Sequence, residues 1–189
     1  NHARRYGHTA YVHNGLDLAE YRYRDTKADY DLFLGRLHSV KGYRWAIEGA
    51  RRTGRKLVLA GGWRPSFRRG ISFAGRVAGE RKAELLAGAR CLWMPALWDE
   101  PFGLTLIQAL ASGTPVIGTH RGSLPVIISP DVGFLGDSVD ELVGFAGRLG
   151  EISPADCRAR VEEHFSHRVM AARYVAYYEA ALSGIERLA

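Results

Sequence analysis

The residues best suited to chemistry lie in one stretch, Trp98–Asp99–Glu100–Pro101–Phe102–Gly103–Leu104–Thr105–Leu106–Ile107–Gln108. A carboxylate, Glu100, stands just ahead of Pro101–Gly103, which reads as a helix start. The amides of Phe102, Gly103 and Leu104 would then lack intrahelical acceptors and lie at the positive end of the helix dipole. Pro101 gives up only an N–H that the helix does not use, and Gly103 lets a ligand approach the backbone closely. This is an anion site suited to phosphate, to which Thr105 adds a hydroxyl. Gln108 follows Thr105 by three and Leu104 by four, so it shares their face. At roughly 1.5 Å per residue it sits about 7–8 Å along the axis from Gly103. Glu100 lies on the other side of the phosphate. The order reads as a sugar, a phosphate and a ribose.

A second stretch runs Phe33–Leu34–Gly35–Arg36–Leu37–His38–Ser39–Val40–Lys41–Gly42. Arg36 and Lys41 leave an apolar run where a crevice is expected. Two cations facing the anion site would neutralise a diphosphate and stabilise it as a leaving group. Taken alone, solvated charges at a strand end are the commoner arrangement. His38 lies between them, within reach of a phosphate, and Trp98 is a candidate wall for the sugar. The histidines show no metal-ligand spacing, so no metal site is expected. Ser123 lacks the His/Asp pattern of a hydrolase triad. No G-x-G-x-x-G follows a strand, which argues against a dehydrogenase.

Positioning these groups requires a regular scaffold. Short apolar runs at Ala10–Val12, Asp31–Leu34, Lys56–Ala60, Ile71–Ala74, Cys91–Met94, Pro115–Gly118 and Gly133–Leu135 read as buried parallel strands. Helical periods alternate with them at Lys41–Arg52, Glu80–Ala89 and Gly103–Ser112, the last stopping at Gly113. Ser138–Glu141 reads as a capping box, and Ser153–Pro154 as an N-cap with a first-turn proline. Ser166 caps a last helix of about 167–187, whose Val169, Met170, Ala172, Val175, Tyr178 and Leu182 form an apolar stripe. The alternation implies a doubly wound, mostly parallel Rossmann-like α/β sheet with helices on both faces. Ligands of such sheets sit outside the carboxyl ends of the strands.

Composition bounds the setting. The 189 residues, 47% hydrophobic and 24% charged, suit a single soluble domain over 1–189. No apolar run reaches the roughly 18–20 residues of a membrane span, leaving at most peripheral membrane association. The formal charge is +6, and only Lys27, Lys41, Lys56 and Lys82 of the 26 basic residues are lysine. That balance fits nucleic acid, anionic lipid or phosphate-bearing ligands without choosing among them. The runs Arg51–Arg52…Arg55–Lys56 and Arg64…Arg68–Arg69 read as solvated turns. Nucleic acid is disfavoured, because no recognition motif or aromatic–basic interleaving is present. Cys91 and Cys157 are isolated, and two buried thiols in a reducing cytoplasm are expected.

Taken in order, Gly35–Arg36–Leu37…Lys41–Gly42, Glu100–Pro101–Phe102–Gly103–Leu104 and Ala111–Ser112–Gly113–Thr114–Pro115–Val116–Ile117 closely resemble the nucleotide-sugar half of the retaining GT-B glycosyltransferases of family four. Val12–His13–Asn14–Gly15–Leu16–Asp17, Phe73–Ala74–Gly75–Arg76–Val77, Arg121–Gly122–Ser123–Leu124–Pro125 and Val132–Gly133–Phe134–Leu135 resemble further family segments, so the likeness covers about 10–182. The resemblance implies that Glu100 contacts hydroxyls of the transferred sugar. The backbone of Phe102, Gly103 and Leu104, with Thr105, would hold the diphosphate, which Arg36 and Lys41 also bind. It further implies that Gln108 holds the ribose and the backbone near Arg76 and Val77 meets the base. Gly35 and Pro101 belong to the same donor-binding motifs. No metal or other cofactor is needed in the family, and the donor is UDP- or GDP-linked.

Three positions depart from the family's pattern. Its second glutamate is Gln108 here; Gly61–Gly70 is short where many relatives carry another helix; and Val126 stands where relatives often have glutamate. The resemblance also implies an acceptor-binding domain ahead of Asn1, so the chain reads as the carboxyl-terminal half of a two-domain transferase, inactive alone. The tyrosines Tyr174, Tyr177 and Tyr178 resemble the segment returning to that domain, although core packing of an amphipathic helix serves equally. The alternative function is a nucleotide-sugar-binding module without transferase activity; a basic nucleic-acid-binding domain ranks below it.

Overall fold

Apolar runs too short and too continuous for amphipathic helices need burial on both faces, and a parallel sheet provides it. In the computed structural model, which describes residues 11–62, 64 and 68–182, six runs form strands. They are β1 (Asp31–Leu34), β2 (Leu57–Ala60), β3 (Ile71–Gly75), β4 (Leu92–Met94), β5 (Val116–Gly118) and β6 (Gly133–Leu135). The sheet order is β3-β2-β1-β4-β5-β6, and every neighbouring pair is parallel. Leu32 registers with Val58 on one side and with Leu92 on the other.

Side chains alternate across the sheet as the strand period demands. Leu32, Leu34, Leu92, Met94 and Val116 enter one core. Phe33, Leu57, Leu59, Trp93 and Ile117 enter the other. The second face is covered by α1 (Tyr43–Thr53) and α5 (Val139–Ala146), through Ala46, Ala50, Leu142 and Ala146. The first is covered by α2 (Gly79–Gly88), α3 (Leu104–Ala111), the short α4 (Leu124–Ile127) and α6 (Pro154–His164). Each fully buried leucine on these faces contributes about 1.5–3 kcal/mol.

The N-terminal ends of β1 and β4 are tied by charge. Asp31 is fully buried and accepts from Arg90 Nε at 2.9 Å, Arg90 Nη2 at 3.1 Å and Trp93 Nε1 at 3.0 Å. Cys91 and Cys157 are free and buried. Burial pushes the Cys157 thiol up to about 12 and the Cys91 thiol well above its ordinary value, so both stay protonated.

The late caps form largely as read. Ser138 Oγ accepts from Glu141 N at 3.2 Å, but Glu141 reaches back to Asp137 N at 2.6 Å, one residue ahead of the cap. Ser153 caps α6 and Ser166 caps α7 (His167–Leu182).

Two expectations fail. Tyr11 and Val12 form no strand, and Ala10 lies outside the described residues. The chain instead hydrogen-bonds to the start of α7, with Leu16 N to Phe165 O at 2.9 Å and His167 N to Leu16 O at 2.8 Å. Gly15 permits this, since any side chain there would strike the Ser166 carbonyl. The second failure concerns core packing of α7. None of its residues is buried, and Tyr174, Val175, Tyr178 and Leu182 are exposed. Its first turn meets the domain through Gly15 and Met170, and its apolar residues spread around the helix rather than along one face. Residues 183–187 of the expected helix, Trp63 and parts of Gly61–Gly70 lie outside the described residues.

Candidate active site

The strand order reverses between β1 and β4, which opens a crevice beyond their carboxyl ends. Both stretches singled out in the sequence end there. After β1 the chain passes Gly35 and Arg36, makes a 3₁₀ turn at Ser39–Lys41, and ends it at Gly42 with φ of 71°. Only glycine serves at Gly42, because a side chain would enter the Pro95 carbonyl of the facing loop. Leu97 N donates to Val40 O at 2.8 Å, stitching the two loops together.

The β4 loop rests in turn on the loop after β5. Thr119 Oγ1 donates to Ala96 O at 2.6 Å, Ser123 N to Glu100 O at 2.9 Å and Ser123 Oγ to Phe102 O at 2.7 Å. Ser123 is therefore a brace for Glu100–Phe102. Phe102 packs edge-on against Phe165, with centroids 6.1 Å apart, and lies 5.9 Å from the His13 ring. Burial, and secondarily the charge of Arg173, hold the His13 pKa below its ordinary value.

At the mouth of the crevice, Lys41 Nζ lies 2.5 Å from Glu100 Oε2. Trp98 Nε1 donates to the same oxygen at 3.2 Å, and Lys41 Nζ sits 4.6 Å from the Trp98 ring centroid. The two charged side chains keep 15% and 11% of their exposure, so the pair is reachable from solvent. Among the described residues, Glu100 Oε1 has no protein partner. Beside it α3 begins at Gly103, whose φ of 79° is left-handed and which no side chain caps. Leu106 N already donates to Gly103 O at 2.8 Å, which leaves the Leu104 and Thr105 amides of the first turn for an anion, and Leu104 is exposed there.

The remaining expected site residues are placed unequally. Arg36 is exposed at the crevice rim, with no ion pair or side-chain hydrogen bond among the described residues. His38 turns its Nδ1 to Val40 N at 3.4 Å, capping the 3₁₀ turn. Arg76 is exposed and Val77 half-buried in the turn between β3 and α2, after Gly75. Gly35 closes β1 with its N–H on Ala60 O at 2.9 Å. Thr105 and Gln108 share one face of α3, and Gln108 Nε2 donates to Tyr21 Oη at 3.2 Å. Tyr21 escaped the sequence reading, because it arrives from a segment without periodicity, and His13 enters that reading only as part of the segment Val12–Asp17. Among the described residues, no three His, Cys, Asp or Glu side chains gather as a metal site would require. No helix among them is long and apolar enough to cross a membrane.

The family model described as "Glycosyl transferases group 1" matches residues 29–152. The MMP alpha-(1->4)-mannosyltransferase of Mycolicibacterium hassiacum is 36% identical over 121 residues, 56% of this chain and 28% of that protein. A D-inositol 3-phosphate glycosyltransferase of Streptomyces griseus is 32% identical over 127 residues, 63% of this chain and 27% of that protein. Among solved structures, AviGT4, a glycosyltransferase involved in avilamycin A biosynthesis, superposes with a TM-score of 0.78 at 30% identity, covering 92% of this chain and 58% of that one. Anabaena HepE, solved in complex with UDP, shares the fold with a TM-score of 0.77 at 16% identity, over 89% of this chain and 57% of that one. The chain thus spans under a third of these curated relatives and somewhat over half of these solved chains.

Proposed function

The chain belongs to the glycosyl transferases group 1, and from that membership we propose that it is the donor-binding domain of a retaining, metal-independent hexosyltransferase. The observation that carries the proposal is the Lys41–Glu100 pair beside the uncapped start of α3. A nucleoside diphosphate sugar entering the crevice sets its diphosphate on the α3 amides. Its charge draws Lys41 off Glu100, and Arg36 swings in from the rim. Glu100, relieved of Lys41 and still held by Trp98, accepts from hydroxyls of the sugar. Gln108 and the backbone near Arg76 and Val77 receive the ribose and the base.

In the reaction the bond between the anomeric carbon and the diphosphate oxygen breaks, and the acceptor hydroxyl bonds to that carbon on the same face. Its proton passes to the departing phosphate. Lys41 and Arg36 stabilise the charge that develops on the leaving group. Removing one such group costs about 2.7–4 kcal/mol of barrier, or roughly a hundred- to thousandfold in rate. Two cations in place of a metal support the metal-independent reading. That HepE was solved with UDP, and also with UDP-glucose, supports a uridine donor. The acceptor binds in a further domain of the whole protein, against which the exposed tyrosines of α7 are suited to pack.

A second reading, donor binding without transfer, draws on Gln108. An amide offers one acceptor oxygen where a carboxylate offers two, and here its nitrogen is committed to Tyr21. The loss of a charge-assisted bond is about 1–2 kcal/mol, roughly tenfold in donor affinity. In the whole transferase, Glu100→Ala is expected to cut turnover far more than nucleotide affinity. Equal losses in both, or unchanged turnover, would remove Glu100 from its role, and donor binding without turnover in the wild-type protein would favour the binding-only reading.

A further inference from the structure

The two arginine runs that read as separate solvated turns converge in space, at the sheet edge opposite the crevice. Arg51 lies in the last turn of α1, Arg55 and Lys56 lead into β2, and Arg68 and Arg69 precede β3. These five side chains line one cleft of about 730 Å³. Its floor is apolar, formed by Ile47, Ala50 and Ile71. Gly54 and Gly70 turn its walls with φ of 68° and 80°, and a side chain at Gly54 would meet nothing within 4 Å. The size falls within the roughly 300–1,000 Å³ of small-molecule sites.

The charge does not cancel locally. Glu48 holds Arg51 through two bonds, at 2.9 and 2.7 Å. Asp29 is shared between Arg55 at 3.7 Å and Lys56 at 3.1 Å. Among the described residues, Arg51, Arg55, Lys56 and Arg69 face these two carboxylates, so the cations outnumber them two to one. The carbonyl end of α1 favours cations in its last turn and accounts for Arg51. It does not account for Lys56, Arg68 or Arg69, which come from other segments. Arginine forks from several directions over an apolar floor suit a phosphate group carried on a compact apolar body.

We propose that this cleft is a second anion site, binding a phosphate-bearing ligand independently of the crevice. A soluble phosphorylated compound and a phospholipid headgroup present the same group to it. The test is residue-resolved: inorganic pyrophosphate is titrated into the isotopically labelled chain while the amide resonances are followed. Saturable shifts are expected at Gly54, Arg55, Gly70 and Ile71, apart from any at Gly35, Lys41 or Gly103. The double variant Arg55→Glu, Lys56→Glu should weaken them about tenfold or more. Asp29→Asn, which frees both cations, should strengthen binding several-fold, a gain that misfolding cannot mimic. Shifts confined to the crevice, or indifferent to both variants, would overturn the proposal whatever the donor site does. Co-sedimentation with phosphatidylglycerol–phosphatidylcholine vesicles, against phosphatidylcholine alone, separates the sources. Vesicle binding that pyrophosphate displaces and the double variant loses assigns the headgroup; intact pyrophosphate binding without it assigns a soluble ligand.

Discussion

The β1–β4 seam carries the same trio at both ends: a carboxylate, a cation and a tryptophan N–H. At the amino end Asp31 engages Arg90 and Trp93; at the carboxyl end Glu100 engages Lys41 and Trp98. Asp31 is fully buried and both its oxygens are taken, by a guanidinium whose fork fixes the geometry. Glu100 keeps one oxygen without a partner, and its cation is a lysine, a point charge on a flexible stem. The amino-end trio is saturated and structural. The carboxyl-end trio is half-satisfied, and a ligand can divide it.

The largest effect that would break this comparison is on stability. Arg90→Ala strands the Asp31 charge in the sheet, so unfolding by urea should show a loss of about 3–5 kcal/mol. Lys41→Ala, in contrast, should cost less in the same experiment, because Glu100 keeps the Trp98 N–H and is not sealed in the sheet as Asp31 is. Equal losses would mean that the two trios are alike. In the whole transferase, Lys41→Ala should slow turnover by roughly a hundredfold or more, whereas Arg90→Ala, at temperatures where it stays folded, should leave turnover near wild type.

Smaller changes sharpen the contrast. Gln108→Glu should raise nucleotide affinity by about tenfold. No gain would mean that the ribose is held elsewhere, with Tyr21 the first residue to examine. A pH-dependent effect concerns Lys27, which donates to Ala87 O, Ser112 O and Thr114 Oγ1 at 2.9, 3.1 and 3.1 Å. Burial lowers its pKa to about 8 from 10.5. Between those values the unfolded chain binds more protons than the folded one, so this residue makes stability rise with pH. Thermal unfolding across that window should show a positive slope that Lys27→Met flattens.

Much of this was legible in the residues themselves. Central strands are buried on both faces and so are mostly apolar, which made them stand out as short runs between glycines and charges. The strand β3, at the sheet edge, is only half-buried. Glu100–Pro101–Phe102–Gly103 declared a helix start because proline and glycine have few other uses there. Features that depend on meeting across the fold stayed hidden. Asp31 and Arg90 are far apart in sequence, and Arg51 gives no sign that Arg68 and Arg69 will face it. Ala10–Val12 has the composition of a strand, but its continuation at Leu16 finds its partners at Phe165 and His167. The stripe read on α7 does not hold as one face: its apolar residues spread around the helix, and this domain buries none of them. Arg36 and Lys41 looked equivalent in sequence, but only Lys41 reaches Glu100, because the 3₁₀ turn ending at Gly42 carries it across the crevice.

The central claim is that the crevice binds a nucleoside diphosphate through Lys41, at the expense of its bond to Glu100. Calorimetric titration of the chain and its Lys41→Ala variant with UDP, GDP and ADP tests it most directly. One nucleotide should bind, and the variant should bind it about tenfold or more weakly, as the loss of a charged partner requires. Binding of none, or equal binding by both proteins, would contradict the account.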